Sequence, residues 1–480
     1  MKKLIGMSVV AVMAATNVSA MSNSELASKI NDLENELQTV KKQLKKQNKK
    51  INKVKAHDAT DNIKWGVDLR TSIDSINYDM ADGSSKDNTG LMSLRLYLNM
   101  AFNPDTHNIF KGQLSMNKAF GADFGTPPRS MSLGSMFDWT SNEALSDNTL
   151  KVKEAYWLYL GDSLFGADIP WTFSIGRRPS IGGFLANFRE DDKAKSPLGH
   201  NINVEFDGLS TMVKLGDITG IDGMSFKVCA GRGATDAVPM FDNNGEPAYA
   251  SDEGTNLDNI DLIGVIFVPY DDGQIKVMTN WFTAFNLPDM ELDSDGNPTG
   301  AFAEYGDMQG AAISVLVDGL TEDGYFADAK VFGSFAWSQT QPDDGKAMLG
   351  STEDKSGTSY WFGTVLPVMD DGVFGLEYNH GSKYWRSFTY GEDTMIGSKL
   401  AARGDAYEAY FTYKINKALS AQIRYTYIDY EYTGSNGFFG SASGTPLKIS
   451  DVKAGVYGED IKSQVVESAS DLRFYIRYRF

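Results

Sequence analysis

From Ile63 onward, apolar and polar residues alternate in short runs, with the period of two that a strand requires and without the 3.6 spacing of a helix. Over 91–102, Met92, Leu94, Leu96, Leu98, Met100 and Phe102 share one face. Over 406–415, Tyr407, Ala409, Phe411, Tyr413 and Ile415 do the same. The pattern predicts sixteen strands, at 63–78, 91–103, 109–120, 151–160, 171–178, 201–215, 224–232, 258–268, 274–285, 306–317, 325–338, 357–368, 373–382, 406–415, 419–432 and 470–480. Residues 471–480 read DLRFYIRYRF. Leu472, Phe474, Ile476, Tyr478 and Phe480 alternate with Arg473, Arg477 and Arg479. A soluble sandwich would turn the greasy face inward. A membrane barrel would turn it out to lipid and aim the arginines into a wet lumen.

The connections separate these cases. Short ones at 103–108, 269–273, 319–324, 369–372 and 416–418 alternate with long ones at 121–150, 179–200, 233–257, 286–305, 339–356, 383–405 and 433–469. A sandwich has no reason to keep that parity. A membrane barrel has short turns on one side and long loops on the other, and an even strand number returns the chain to the side it entered from. The expected fold is all-β: a transmembrane antiparallel β-barrel of about 16 strands over 63–480, preceded by an α-helical coiled coil.

The first twenty residues read as a signal peptide. Lys2 and Lys3 precede an apolar run from Leu4 to Ala15, and Val18, Ser19 and Ala20 give a small-residue cleavage pattern. The run is shorter than the ~20 residues a spanning helix needs. Over 21–56, Leu26, Ile30, Leu33, Leu37, Val40, Leu44, Ile51 and Val54 recur at spacings of three and four, with polar Gln47 filling the one gap. This is a heptad seam. A lone amphipathic helix lying on the barrel is the competing reading, but a narrow seam with charged flanks favours a parallel homo-oligomer. Residues 57–62 are a linker.

Net charge is −18, and the segment before the barrel is basic, so the barrel is more acidic still. Nucleic acid is excluded as a partner on that balance. The single Cys229 leaves no internal disulfide framework, cysteine zinc site or attached c-type haem. Aromatics at 12% with abundant glycine suit a large antiparallel sheet with aromatic girdles. Of the four histidines, His57 lies in the linker, His107 in a short turn, His200 at a loop end and His380 near an upper rim. None sits in a nucleophile motif, so an enzyme is not expected. No cofactor is expected either. DSDGNPTG (293–300) spaces Asp293, Asp295 and Asn297 like the start of a calcium loop, with Glu304 at the twelfth position. Pro298 replaces the required glycine and the flanks read as strands, so no metal is assigned.

The leader, the aromatic-terminated LRFYIRYRF and the loop parity resemble a Gram-negative outer-membrane porin. Residues 472–480 are similar to the signal read by the barrel-assembly machinery of that class. The coiled coil ahead of the barrel is similar to a family of uncharacterised outer-membrane proteins. The resemblance implies an outer-membrane channel for ions and small hydrophilic solutes, a periplasmic coiled coil, and a trimer joined through the Leu26–Val54 heptads. A structural tether or surface adhesin is the alternative that the coiled coil and long loops suit.

If apolar faces meet lipid, Arg70, Arg95, Arg424 and Arg473 line the lumen. The strands that carry them become neighbours on closure, with Arg477 and Arg479 extending the patch downward. The resemblance further implies that the loop 179–200 between the fifth and sixth strands, the third on the long side once 79–90 is counted, folds inward. It carries Glu190, Asp191 and Asp192, which would face the arginines across a constriction and set a transverse field.

Overall fold

The computed structural model describes residues 37, 40–42, 63–122, 145, 148–237, 247–251, 257–294 and 296–480. The chain divides into two compact units, Met1–Asn62 and Ile63–Phe480. In the first, Leu37 and Val40–Lys42 are helical. The signal peptide, the linker and the rest of the heptad seam lie outside the described residues.

The second unit is a closed antiparallel barrel of sixteen strands. They are β1 (Lys64–Met80), β2 (Ser85–Phe102), β3 (Asn108–Ala119), β4 (Lys151–Gly161), β5 (Trp171–Ser180), β6 (Val204–Lys214), β7 (Ser225–Ala234), β8 (Ile260–Asp271), β9 (Ile275–Leu292), β10 (Pro298–Asp318), β11 (Lys330–Pro342), β12 (Ser356–Val368), β13 (Gly372–Gly381), β14 (Gly404–Lys414), β15 (Leu419–Tyr430) and β16 (Val466–Arg479). Each pairs with its neighbours in the chain, and β1 pairs with β16 to close the cylinder. All sixteen predicted segments are present, in the predicted order.

The alternation sorts the faces as period two demands. Met92, Ile423, Leu472, Phe474 and Ile476 point outward and stay exposed, while their chain neighbours Ser93, Arg424 and Arg473 are buried inside. Tyr360, Tyr378, Tyr407 and Tyr427 continue across β12–β15 as an outer aromatic row, with successive ring centroids 6.1, 5.2 and 6.5 Å apart. His380 sits beside this row, stacked on Tyr360 and bonded to Asp405 at 2.9 Å. No described helix is long and apolar enough to cross a membrane.

The interior differs from a simple water-lined tube. On β8–β12 the inner face is also apolar: Ile266, Val268, Met278, Leu316, Phe332 and Trp361 are buried there. They pack against Phe184, Leu185 and Leu198 of the loop 181–203 and against Trp385 and Leu400 of the loop 382–403. A third loop, 431–465, brings Phe438 and Phe439 onto Phe388 and the upper wall. Burying a large apolar side chain is worth about 1.5–3 kcal/mol, so these contacts hold the loops inside the cylinder.

Two expected boundaries change. The β1–β2 connection is a tight turn in which Gly83 takes φ +85°, Met80 N–H donates to Ser84 O at 2.8 Å and Gly83 N–H donates to Met80 O at 2.9 Å. The stretch 286–305, expected as a long loop, is mostly strand. β9 runs on to Leu292 and pairs with β10 through Met290 and Phe302. Strict alternation of short and long connections therefore fails at these two places. The acidic composition of 286–305 imitated a loop, but Asp289 is fully buried and accepts from Ser443 N–H and Oγ at 3.0 and 2.8 Å. In the turn itself, Asp293 Oδ1 accepts from Asn297 N–H at 2.8 Å, so its carboxylate caps the hairpin. Glu304 lies away on β10, opposite Pro288. Among the described residues no cluster of three metal-ligating side chains occurs.

Candidate functional site

Strand register builds an arginine patch on the wall. Closure of β1 on β16 sets Arg70 directly opposite Arg477 and Asp74 opposite Arg473. β1–β2 pairing sets Arg70 opposite Arg95, and β15–β16 pairing sets Arg424 opposite Arg473. Like charges in opposite positions repel, so the patch needs interleaved acids. Two come from β1: Asp74 bonds Arg473 Nε at 2.5 Å, and Asp68 bonds Arg477 Nε at 2.8 Å.

The remaining acids come from the loops. Glu190 pairs with Arg70 at 3.3 Å and Arg424 at 3.1 Å, and touches Arg189 Nε at 3.4 Å. Asp192 pairs with Arg477 at 3.0 Å and Arg479 at 2.6 Å. Asp191 pairs with Arg479 at 3.3 Å and Lys414 at 3.1 Å. The eight residues singled out in the sequence thus come together. Acids and bases do not face one another across open water, however. They are in direct contact, and Arg70, Arg95, Arg424, Arg473 and Arg477 retain 3, 5, 1, 0 and 3% exposure. Guanidinium groups lining an open water column would be wet.

Sequence reasoning missed the other half of the cover. Asp393, on the loop 382–403, takes both Arg70 nitrogens, with Nη2 at 2.9 Å, and also pairs with Arg95 at 3.2 Å and Arg473 at 3.0 Å. Beside it lies a second buried network. Arg189 bonds Glu392 at 3.0 Å and Glu408 at 3.3 Å, while Lys399 bonds Glu377 at 2.6 Å and also Glu408. Trp361 Nε1 donates to the same Glu377 oxygen at 3.0 Å. The signal that was available is the loop's own greasiness: a solvated surface loop has little use for Trp385, Phe388 and Leu400.

The electrostatics fit the geometry. Burial and the neighbouring Asp393 push the Glu190 carboxyl up, but Arg70, Arg424 and Arg189 overcome them and hold it at about 2. Burial likewise opposes the Asp393 charge, yet Arg70, Arg473 and Arg95 hold its carboxyl well below the usual range. Both loop acids are therefore anions gripped by several guanidiniums, in the geometry arginine uses for carboxylates generally.

A closed antiparallel cylinder, apolar outside and charged within, with loops folded onto an arginine wall, defines the class of protein. Residues 85–480 match the family described as "Protein of unknown function (DUF3373)", and the chain belongs to that family. No curated protein matches the chain. Among solved structures it is similar to an anion-selective porin from Comamonas acidovorans (14% identity, 87% of this chain and 99% of that one, TM-score 0.46). It is also similar to OprB of Pseudomonas putida (14%, 87% and 94%, TM-score 0.46) and to OmpT, an outer membrane protein of Vibrio cholerae (13%, 87% and 97%, TM-score 0.43).

Proposed function

We propose that this chain is an outer-membrane channel that passes ions and small hydrophilic solutes, and that the loops 181–203 and 382–403 form its gate. The observation that carries the reading is the inward row of five arginines on four contiguous strands of a closed cylinder whose outer face is apolar. An arginine facing lipid near mid-depth costs about 2–4 kcal/mol, and sixteen strands enclose enough space for a conduit. The pore-lining and constriction roles fall to Arg70, Arg95, Arg424, Arg473 and Arg477 on the wall and to Glu190, Asp191 and Asp192 on the loop.

The same reading puts the barrel in a Gram-negative outer membrane with residues 21–56 in the periplasm. Trimers form through the Leu26–Val54 heptads, and 472–480 is the strand presented to the barrel-assembly machinery. No enzymatic activity is assigned.

The burial of the wall arginines favours a second reading, a tether or adhesin whose lumen stays filled. Single-channel recording on purified protein in planar bilayers decides between them. Discrete conductance steps with transitions to a closed level support the gated channel. A barrel that inserts and remains silent at all voltages supports the tether.

A further inference from the structure

One part of the inner wall carries positive charge that no described carboxylate neutralises. Lys227 on β7 and Arg178 on β5 both line a cavity beneath the loop 181–203. Lys227 Nζ donates to Ser196 Oγ at 2.6 Å, and the Arg178 guanidinium lies 4.3 Å from the Tyr156 ring centroid. Neither forms an ion pair among the described residues. The arginine patch on β1, β2, β15 and β16 is different: every guanidinium there meets at least one carboxylate. Glu154, the acid nearest this region on β4, is already taken by Lys195.

Two cations turned into a barrel interior without counter-ions are costly unless an anion joins them. The rest of the cavity tells what else that anion carries. Ile202, Phe206, Leu262, Ile266 and Phe282 give it an apolar wall. The cavity is therefore amphipathic, with a cationic end and a greasy body. A hydrated inorganic anion would satisfy the first and leave the second uncovered.

We propose that this cavity binds a small organic anion, a carboxylate with a short apolar body. Its carboxylate lies between Lys227 Nζ and Arg178, and its body lies against Ile202, Phe206 and Phe282. Because Ser196 and Ile202 belong to the inward loop, the ligand bridges loop and wall. As the class of solute carried, this rests on the channel reading. As a binding site it does not.

Cys229 is the chain's single cysteine and lines the same cavity, so it is a built-in reporter. Full-length protein in detergent is labelled with a small methanethiosulfonate reagent in the presence and absence of benzoate. At a few times its Kd, benzoate slows labelling about fivefold. Benzyl alcohol at equal concentration and sodium chloride leave the rate nearly unchanged. Lys227→Gln abolishes the protection and Lys227→Arg retains it. Absence of protection by benzoate, or equal protection by benzyl alcohol or chloride, overturns the proposal.

If the thiol is inert in every condition, the fluorine-19 line width of 4-fluorobenzoate reads the same site. Broadening by the wild-type chain that Lys227→Gln removes supports it; no broadening, or broadening that survives the substitution, overturns it. Protection in a barrel that passes no current keeps the site and removes the channel. Current without protection does the reverse.

Discussion

Asp393 grips Arg70 with both carboxylate oxygens across 323 residues of chain, joining a loop to the barrel wall. The same carboxylate also reaches Arg95 and Arg473, so one side chain ties the loop to three strands. Removing one partner of a buried ion pair is expensive because the other charge stays behind, unpaired.

Asp393→Asn therefore loosens the loop 382–403. The expected cost is about 3 kcal/mol, roughly a hundredfold in the seated population. Trypsin cleavage after Lys383, Arg386 and Lys399 accelerates accordingly, and on the channel reading proposed above the fraction of time spent conducting rises in bilayers. A cleavage rate equal to wild type would show that Asp393 does not hold the loop.

Acid acts on the loops in two windows. Glu190 has its carboxyl depressed to about 2. Its contribution is complete above the unfolded value of about 4.3 and is lost as pH falls through about 2. His200 is buried between Ser334 and Ser359, and burial pushes its imidazole down to about 3. The unfolded chain binds that proton from about pH 6.5 downward while the folded one refuses it, so stability falls by about 1.4 kcal/mol per pH unit between 6.5 and 3. Denaturation midpoints measured from pH 7 to pH 2 show a gradual loss below 6.5, which His200→Gln flattens. A second loss, between about 4.3 and about 2, remains in that variant and disappears in Glu190→Gln, whose loop is already loose at neutral pH.

The outer face is tested by Phe474→Arg, which puts a guanidinium beside Ile73 and Ile423. Folding into lipid vesicles becomes weaker by about 2–4 kcal/mol if the position is near the midplane. Arg473→Gln, one residue away and inward, leaves membrane insertion intact but frees Asp74 and Asp393 from a shared partner. Equal insertion defects in both variants would contradict the facing assigned to β16.

Arg403 is wholly buried and has no carboxylate in bonding range among the described residues. Its fork donates to the carbonyls of Trp385, Thr433 and Gly444 at 3.0, 2.9 and 2.7 Å, tying the loops 382–403 and 431–465 together. Lysine offers a single point charge without that planar fork. Arg403→Lys loses at least one charged hydrogen bond, about 1.5–3 kcal/mol. Hydrogen exchange in 433–447 quickens while the barrel strands keep their protection. Uniform quickening throughout would mean that the residue supports the whole fold instead.

The strands were legible because a two-sided sheet writes period two into the chain, and Arg95 between Leu94 and Leu96 states its facing outright. Glu190 was legible as a loop acid, though not its direct seat on Arg70 and Arg424. What stayed hidden was Asp393, since GEDTMIGSK has no period and nothing local says which wall a loop will meet. The apolar inner face of β8–β12 was written in plain sight: DLIGVIFV is greasy at successive positions, which a strand shows when both of its sides are covered. The stretch 286–305 misled because buried Asp289 looks like a solvated acid until Ser443 is seen beside it.

The seam where β1 meets β16 joins the first and last strands in the sequence of the barrel, and it also brings Arg70 beside Arg477. An unclosed sheet splits the arginine patch, leaving Arg70 and Arg95 at one edge and Arg424, Arg473 and Arg477 at the other, so Glu190 and Asp393 can each reach only part of their partners. The loops 181–203 and 382–403 thus complete their ion pairs once the cylinder has closed, so their full seating is a certificate of finished assembly. A defect at the seam would surface first as loosened loops and only later as unfolding.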